Sequence, residues 1–465
     1  MEVHLALDGR DDLAGRLYRQ IRDAVLAGRL PPGTALPATR GLAADLGVAR
    51  GTVAAAYERL AAEGFLRTRV GSGTFVAEGF GGHAPARAAG ALRPLPVWEG
   101  RRAPVALAEG LRHDFRPGHP DVALFPWATW RRLLTAELRA GAVGSGMYGD
   151  PAGHPGLRAA IAARLAASRS VRADPDDLIV TAGAQQAIGL IARVLLPQGA
   201  TVAVEEPGYP PVRHALVAAG MRVVGVPVDA AGLVVDALPG DARLVYLTPS
   251  HQFPLGMPMA PARRAAVLDW ADRHDACVVE DDYDSEFRFA GRPLEPLHTL
   301  DTTGRVLYVG SFSKTMLPTL RLGFLLAPSG LRTALRAAKY AADWHTPLPE
   351  QKALAAFLTE GSFARHIRRM HRVYADRRTR LLAALPPHLV PVPSAAGLHL
   401  GAWLPPGTDD TAAASAAARH GVSIYPLSMF ARAAPPGLVL GFGALPDVES
   451  ATAALTSALS PIRPG

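Results

Sequence analysis

From about residue 111 onward, short apolar runs alternate with helical stretches, and this alternation constrains the fold more than any other feature of the chain. The runs fall at 178–180, 201–204, 223–226, 244–247, 277–280, 306–309 and 323–327. Parallel neighbours need a crossover between them, so strands spaced by helical segments point to an α/β fold with a mostly parallel sheet. After about Leu335 a long helical stretch leads into a smaller C-terminal α+β lobe.

The first 78 residues follow another rule. Leu13, Leu17, Ile21, Ala24 and Val25 form a helical stripe over 13–27, stopped by Gly28 and Pro31-Pro32-Gly33. A short helix is predicted over 39–46, with Thr39 as its cap. Gly47-Val48-Ala49 makes a tight turn before a third helix over 50–63, with Val53, Ala56, Tyr57 and Leu60 facing inward. Two short strands, 65–69 and 74–76, flank Gly71-Ser72-Gly73. Residues 79–110 are rich in Gly, Ala, Pro and Arg without periodicity and read as a linker. Three parts are expected: a helix-turn-helix unit over 1–78, the linker over 79–110 and a large unit over 111–465.

Composition narrows the function classes. With 49% hydrophobic and 19% charged residues the chain is globular. It has no 18-residue apolar run, and its acidic start (Glu2, Asp8, Asp11, Asp12) lacks a signal-peptide pattern, so a cytoplasmic protein without a membrane span is expected. The single cysteine, Cys277, excludes an internal disulfide and a cysteine zinc site. His366 and His371, five apart, do not share a helical face, and no metal is expected. The net charge of +8 points to an anionic partner. Only three of the 49 basic residues are lysine: Lys314, Lys339 and Lys352. Arginine supplies charge but forms no imine, so each lysine is informative. Lys339 and Lys352 fall in helical stretches and are expected at the surface.

Two helices joined by a tight turn present the second to the major groove. Arg50, Gly51 and Thr52 open that helix, and the glycine tip suits a wing. Residues 1–80 carry 10 arginines and 9 acids, so a DNA-binding field must come from Arg40, Arg50, Arg67 and Arg69 on one face. Leu-Pro-Ala-Thr-Arg (36–40), Leu-Gly-Val-Ala-Arg-Gly-Thr-Val (46–53), Ala-Tyr-Glu-Arg-Leu (56–60), Glu-Gly-Phe-Leu (63–66) and Gly-Ser-Gly-Thr-Phe-Val (71–76) resemble the winged helix of GntR-type regulators. The resemblance implies contacts to double-stranded operator DNA by Arg40, Arg50, Thr52 and the wing at Gly71. Ala49 departs from it, because the family often has Ser or Thr there.

In the large unit, Ser311-Phe312-Ser313-Lys314 follows a predicted strand, where α/β sheets bind ligands. A lysine there can form a Schiff base, and the two hydroxyls with Arg321 can hold a phosphate. Glu280-Asp281-Asp282-Tyr283 ends another strand, and its carboxylate can pair with a pyridinium nitrogen. Asp282 is the fallback for that role, and Tyr283 points to the same side as Asp281. Thr181-Ala182-Gly183-Ala184-Gln185-Gln186 offers free amides at a helix start, and Tyr209 offers a ring to stack on a flat cofactor.

Together these segments resemble fold-type-I aminotransferases over about 111–460. The resemblance implies pyridoxal 5'-phosphate joined to Lys314, with Asp281 on its ring nitrogen, Tyr283 near its ring hydroxyl and Tyr209 stacked on the ring. Ala184, Gln185, Ser311, Ser313 and Arg321 would hold its phosphate, and Tyr148 would reach the partner subunit's phosphate. Two departures stand out. Phe253, in Thr-Pro-Ser-His-Gln-Phe-Pro-Leu-Gly (248–256), replaces the asparagine that bonds the ring oxygen. Val439, in Leu-Val-Leu-Gly-Phe (438–442), replaces the arginine that clamps a substrate carboxylate, with Arg432 as a candidate substitute from a neighbouring loop.

A GntR-like winged helix, a linker and an aminotransferase-like domain in this order resemble the MocR/GabR class of regulators. The expectation is a head-to-tail homodimer that binds DNA and senses an amine or amino-acid effector, or the cofactor itself. The alternative is a working aminotransferase with a DNA-binding appendage, which the missing clamp at Val439 disfavours.

Overall fold

The computed structural model describes residues 12–69, 72–78, 93–99, 111–139, 141, 146–291, 294–432 and 434–460. Gly71 and most of the 79–110 stretch lie outside them. Two compact units divide between Pro96 and Val97.

In the first unit, the Asp12 carboxylate accepts the Gly15 amide at 3.2 Å and starts α1 (Leu13–Leu26). Its stripe buries Leu17, Tyr18, Ile21, Ala24 and Val25. β1 (Ala35–Leu36) precedes α2 (Thr39–Asp45), whose cap position is held by Ala38 without a side-chain bond. Thr39 is therefore the first helical residue and not the cap. α3 (Arg50–Ala62) buries Val53, Ala56, Tyr57 and Leu60, as its periodicity predicts. β2 (Leu66–Arg69) and β3 (Gly73–Val76) complete an antiparallel sheet in the order β1-β3-β2.

The second unit opens with β4 (His113–Asp114), α4 (Trp127–Glu137) and α5 (Pro155–Arg169). Strands and helices then alternate through β5 (Leu178–Thr181), α6 (Ala184–Leu195), β6 (Thr201–Glu206), α7 (Pro210–Ala218), β7 (Arg222–Asp229) and β8 (Gly232–Leu233). The alternation continues through β9 (Ala242–Leu247), α8 (Pro261–Arg273), β10 (Cys277–Asp282), α9 (Leu297–Leu300), β11 (Val306–Ser311) and β12 (Gly323–Leu326). The eight-stranded sheet runs β5-β12-β11-β10-β9-β6-β7-β8. Pairs β7–β6, β6–β9, β9–β10 and β10–β11 are parallel, and β12 runs antiparallel between β11 and β5. The reversal of β12 pairs Gly323 with Ser311, which returns the chain just before it to the end of β11. Arg321 precedes β12 by two residues, in a left-handed conformation with φ 51°.

Helices α10 (Arg332–Asp343), α11 (Leu348–Thr359) and α12 (Ser362–Ala384) lead to the smaller lobe. That lobe comprises β13 (Val390–Pro391), β14 (His399–Trp403), α13 (Asp410–Arg419), β15 (Val422–Ser423), β16 (Tyr425–Pro426), β17 (Gly437–Gly441) and α14 (Val448–Leu459). One lysine departs from expectation. Lys339 on α10 is fully buried, with its ammonium 2.5 Å from Asp343 and 3.0 Å from the Gln186 side chain on α6. Packing of α10 on α6 turns that face inward, which helical periodicity alone does not reveal. Lys352 keeps a half-buried position 3.6 Å from Glu137.

Candidate functional site

Parallel strands deliver their last residues to one edge of the sheet, where open α/β folds bind ligands. Here that edge gathers the ends of β5, β6, β9, β10 and β11. β10 alternates its carboxylates across the two faces. Asp282 goes one way, where Arg169 Nε lies 2.9 Å from it and the Tyr308 hydroxyl also donates to it. That pairing removes it from the fallback role. Asp281 goes the other way and is 4% exposed. Its Oδ2 accepts the Tyr246 hydroxyl at 2.6 Å, while its Oδ1 is buried without a partner. Burial pushes the Asp281 carboxyl up to about 7, against the pull of the Tyr246 hydrogen bond. A buried carboxylate oxygen without a donor is a costly group unless a ligand supplies one. A protonated ring nitrogen would do so.

Lys314 lies in the turn after β11, and its ammonium donates to the Gly118 carbonyl at 3.1 Å. Gly118 has φ +78°, and a Cβ there would stand 2.6 Å from Lys314 Nζ, so a larger residue would displace the lysine. Burial lowers the Lys314 pKa, opposed by the Asp284 and Asp281 carboxylates. A lysine that gives up its proton more readily is a better nucleophile toward a carbonyl.

Past the end of β5, Gly183 caps α6, and the amides of Ala184 and Gln185 open the helix. The N-terminus of such a helix favours an anion. The Arg321 guanidinium donates to the Ala182 carbonyl beside it. Ser311 and Ser313 face each other with 2.9 Å between their hydroxyl oxygens. Tyr209 stands half-buried at the start of α7, with its ring centre 5.2 Å from that of Phe253. This set fits a flat cofactor with a cationic ring nitrogen at one end and a phosphate at the other. Tyr148 does not join the set within this chain: it is 69% exposed and stacks on Trp344 at 4.1 Å.

Both departures take physical form. Phe253 packs edge-on against Tyr209 at 5.2 Å and Tyr283 at 6.1 Å, so a hydrocarbon ring stands against both phenols. Val439 is fully buried in an apolar cluster with Leu255, Met257, Val392 and Leu427. Arg432 bonds through its amide to Glu206, which also pairs with Arg213. Tyr246, Gly118, His251, Asp284 and His399 were not singled out by sequence reasoning. Strand register and loop packing bring them together, and neither is written in local patterns.

In the first unit Arg40 and Arg50 are exposed at the starts of α2 and α3, and Thr52 is half-buried. Arg67 pairs with Glu78 at 2.6 Å, and the Arg69 guanidinium lies 5.8 Å from the Phe75 ring centre. Arg67 therefore brings less free charge than the sequence suggests. Ala49 caps α3 without a side-chain bond. Among the described residues no helix is long and apolar enough to cross a membrane.

Fold and site define an aminotransferase-like large unit joined to a winged helix. Residues 126–439 match the aminotransferase class I and II family, and residues 13–76 match the gntR family of bacterial regulatory proteins. Over 92% of its length the chain is 39% identical to the probable rhizopine catabolism regulatory protein MocR of Rhizobium meliloti, covering 90% of that protein. It is 34% identical, over 92% of its length and 91% of the relative, to the pyridoxine biosynthesis transcriptional regulator PdxR of Corynebacterium glutamicum. The kynurenine aminotransferase of Pyrococcus horikoshii, solved with PMP, superposes with a TM-score of 0.70 at 27% identity, over 76% of this chain and 92% of that one. The chain belongs to the MocR-type family of helix-turn-helix transcriptional regulators, which carry a GntR-type DNA-binding domain and an aminotransferase-like domain.

Proposed function

We propose that this regulator holds pyridoxal 5'-phosphate in its large unit and uses the loaded pocket to sense an amine or amino-acid effector, or the cofactor itself. The observation that carries the reading is the partnerless Asp281 Oδ1 in the pocket that also holds Lys314. Asp281 would pair with the ring nitrogen, Tyr283 would stand near the ring oxygen, and Tyr209 would stack on the ring. Ala184, Gln185, Ser311, Ser313 and Arg321 would hold the phosphate. When bound, the cofactor supplies an aldehyde that condenses with primary amines. The protein's own part is to hold Lys314 against the Gly118 carbonyl, with its proton affinity lowered by burial. In a head-to-tail homodimer, Tyr148 would reach the partner's pocket from its exposed position. Arg40, Arg50, Thr52 and the wing at Gly71 would contact the operator, in the cytoplasm.

Steady transamination is not expected. The buried Val439 offers no bidentate clamp for a substrate carboxylate, and such orientation accounts for much of the rate in this chemistry. The decisive experiment is the visible absorbance of the full chain incubated with the cofactor, wild type against Lys314→Ala. Wild type is expected to colour and the variant to lose that band. A band that survives the substitution, or a wild type that stays colourless, overturns the assignment.

A further inference from the structure

Around the Tyr283 phenol lies a group of buried side chains to which the cofactor reading assigns no role. His251, Asp284 and His399 come from the loop after β9, the chain just past β10 and the start of β14, and their nitrogen and carboxylate atoms lie within 4.8 Å of one another. His251 and His399 are each 1% exposed and Asp284 is 2% exposed. His251 Nδ1 lies 2.9 Å from Asp284 Oδ2 and 2.9 Å from the Tyr283 hydroxyl oxygen. Tyr283 in turn donates to the His251 carbonyl at 2.7 Å. The smaller lobe closes over this group through Gly397, where a Cβ would stand 2.0 Å from His251 Cε1 and 2.6 Å from Asp284 Oδ2.

These contacts fix proton positions. A carboxylate beside Nδ1 keeps the ring proton on that nitrogen. That single N–H is shared between the carboxylate and the phenol oxygen, and the phenol proton goes to the His251 carbonyl. One residue thus sets both the donor and the acceptor role of Tyr283, which the hydrocarbon ring of Phe253 cannot do.

We propose that Asp284, acting through His251, is a positioning unit for the cofactor pocket: it locks the Tyr283 phenol and supplies a fixed negative charge that holds a proton on the Lys314 nitrogen. The inference rests on the cofactor reading above. The charged and titratable groups acting on that nitrogen are Asp284 and Asp281, which favour its proton, and Arg321, which opposes it; the buried His399 on β14 feels the Lys314 charge in turn. His251 itself is faced by Asp284, Tyr283 and His399. Removing one negative charge from a poorly solvated site lowers the pKa of a neighbouring cation.

The test is the pH titration of the visible band in the cofactor-loaded full chain. Asp284→Asn is expected to move its midpoint down by about one pH unit or more. His251→Asn keeps an N–H in the Nδ1 position and is expected to titrate like wild type. His251→Leu removes the N–H that orients the buried carboxylate and the phenol, and its midpoint is expected to fall toward that of Asp284→Asn. A folded Asp284→Asn protein with the wild-type midpoint overturns the proposal. Should that variant not fold, equal midpoints in His251→Asn and His251→Leu overturn it instead. A wild type that never acquires the band defeats the cofactor reading and this inference together, whereas a band indifferent to Asp284 defeats this inference alone.

Discussion

Asp281 shows how a single residue can be tuned for a partner the chain itself does not provide. Burial raises its carboxyl to about 7 in the fold, while an aspartate in an unfolded chain titrates near about 3.9. Between these values the folded state holds a proton that the unfolded state lacks. The neutral form therefore favours the fold at low pH, and this advantage is lost as pH rises through about 7. Asparagine never ionises. In cofactor-free protein, the melting temperature of Asp281→Asn relative to wild type is expected to be higher at pH 8 than at pH 5.5. Glu280, also raised to about 7 by burial, is present in both proteins and cancels in the difference, whereas Glu205 is raised in part by the Asp281 charge and adds to the same trend. A difference that does not change with pH would show that Asp281 is solvated in the free protein.

At the scale of elements, the parts legible in the sequence are those that local chemistry determines. The runs of β5, β6, β9, β10 and β11 announce themselves by length and apolarity, and α1 and α3 by their stripes. The alternation along β10 already put Asp281 and Tyr283 on one side. Contacts made by register were not legible. Tyr246 reaches Asp281 because β9 lies beside β10, with Tyr246 paired to Val279. Lys339 is buried because α10 packs on α6, and His399 meets His251 because the smaller lobe folds back over the loop after β9. Element ends carry a prediction of their own. Ala49 leaves the first amides of α3 without a side-chain acceptor, and a serine at such a cap is worth about 1 kcal/mol. Ala49→Ser is expected to slow hydrogen exchange of the α3 amides about five-fold in the intact chain. Unchanged exchange would mean that α3 is held by its packing on α1 and not by its end.

For the whole molecule, two units with separate cores have to share one free-energy difference if the pocket is to govern DNA binding. A ligand shifts operator binding only by as much as it prefers one state of the protein over the other. Linkage then makes the effect reciprocal: the factor by which cofactor or effector changes operator affinity equals the factor by which operator changes cofactor affinity. A suitable operator is a duplex selected by the protein from a random-sequence pool. Its dissociation constant, measured with and without saturating cofactor, should change by the same ratio as the cofactor's dissociation constant with and without duplex. Arg50→Ala separates the two functions. It should weaken the duplex and reduce the magnitude of the salt dependence by about 0.9 per lost phosphate contact, while leaving the visible band intact. If operator affinity ignores the cofactor in wild type, the two units are independent modules and sensing must enter by another route. If the two ratios differ, a further equilibrium, such as assembly of the dimer, lies between pocket and helix.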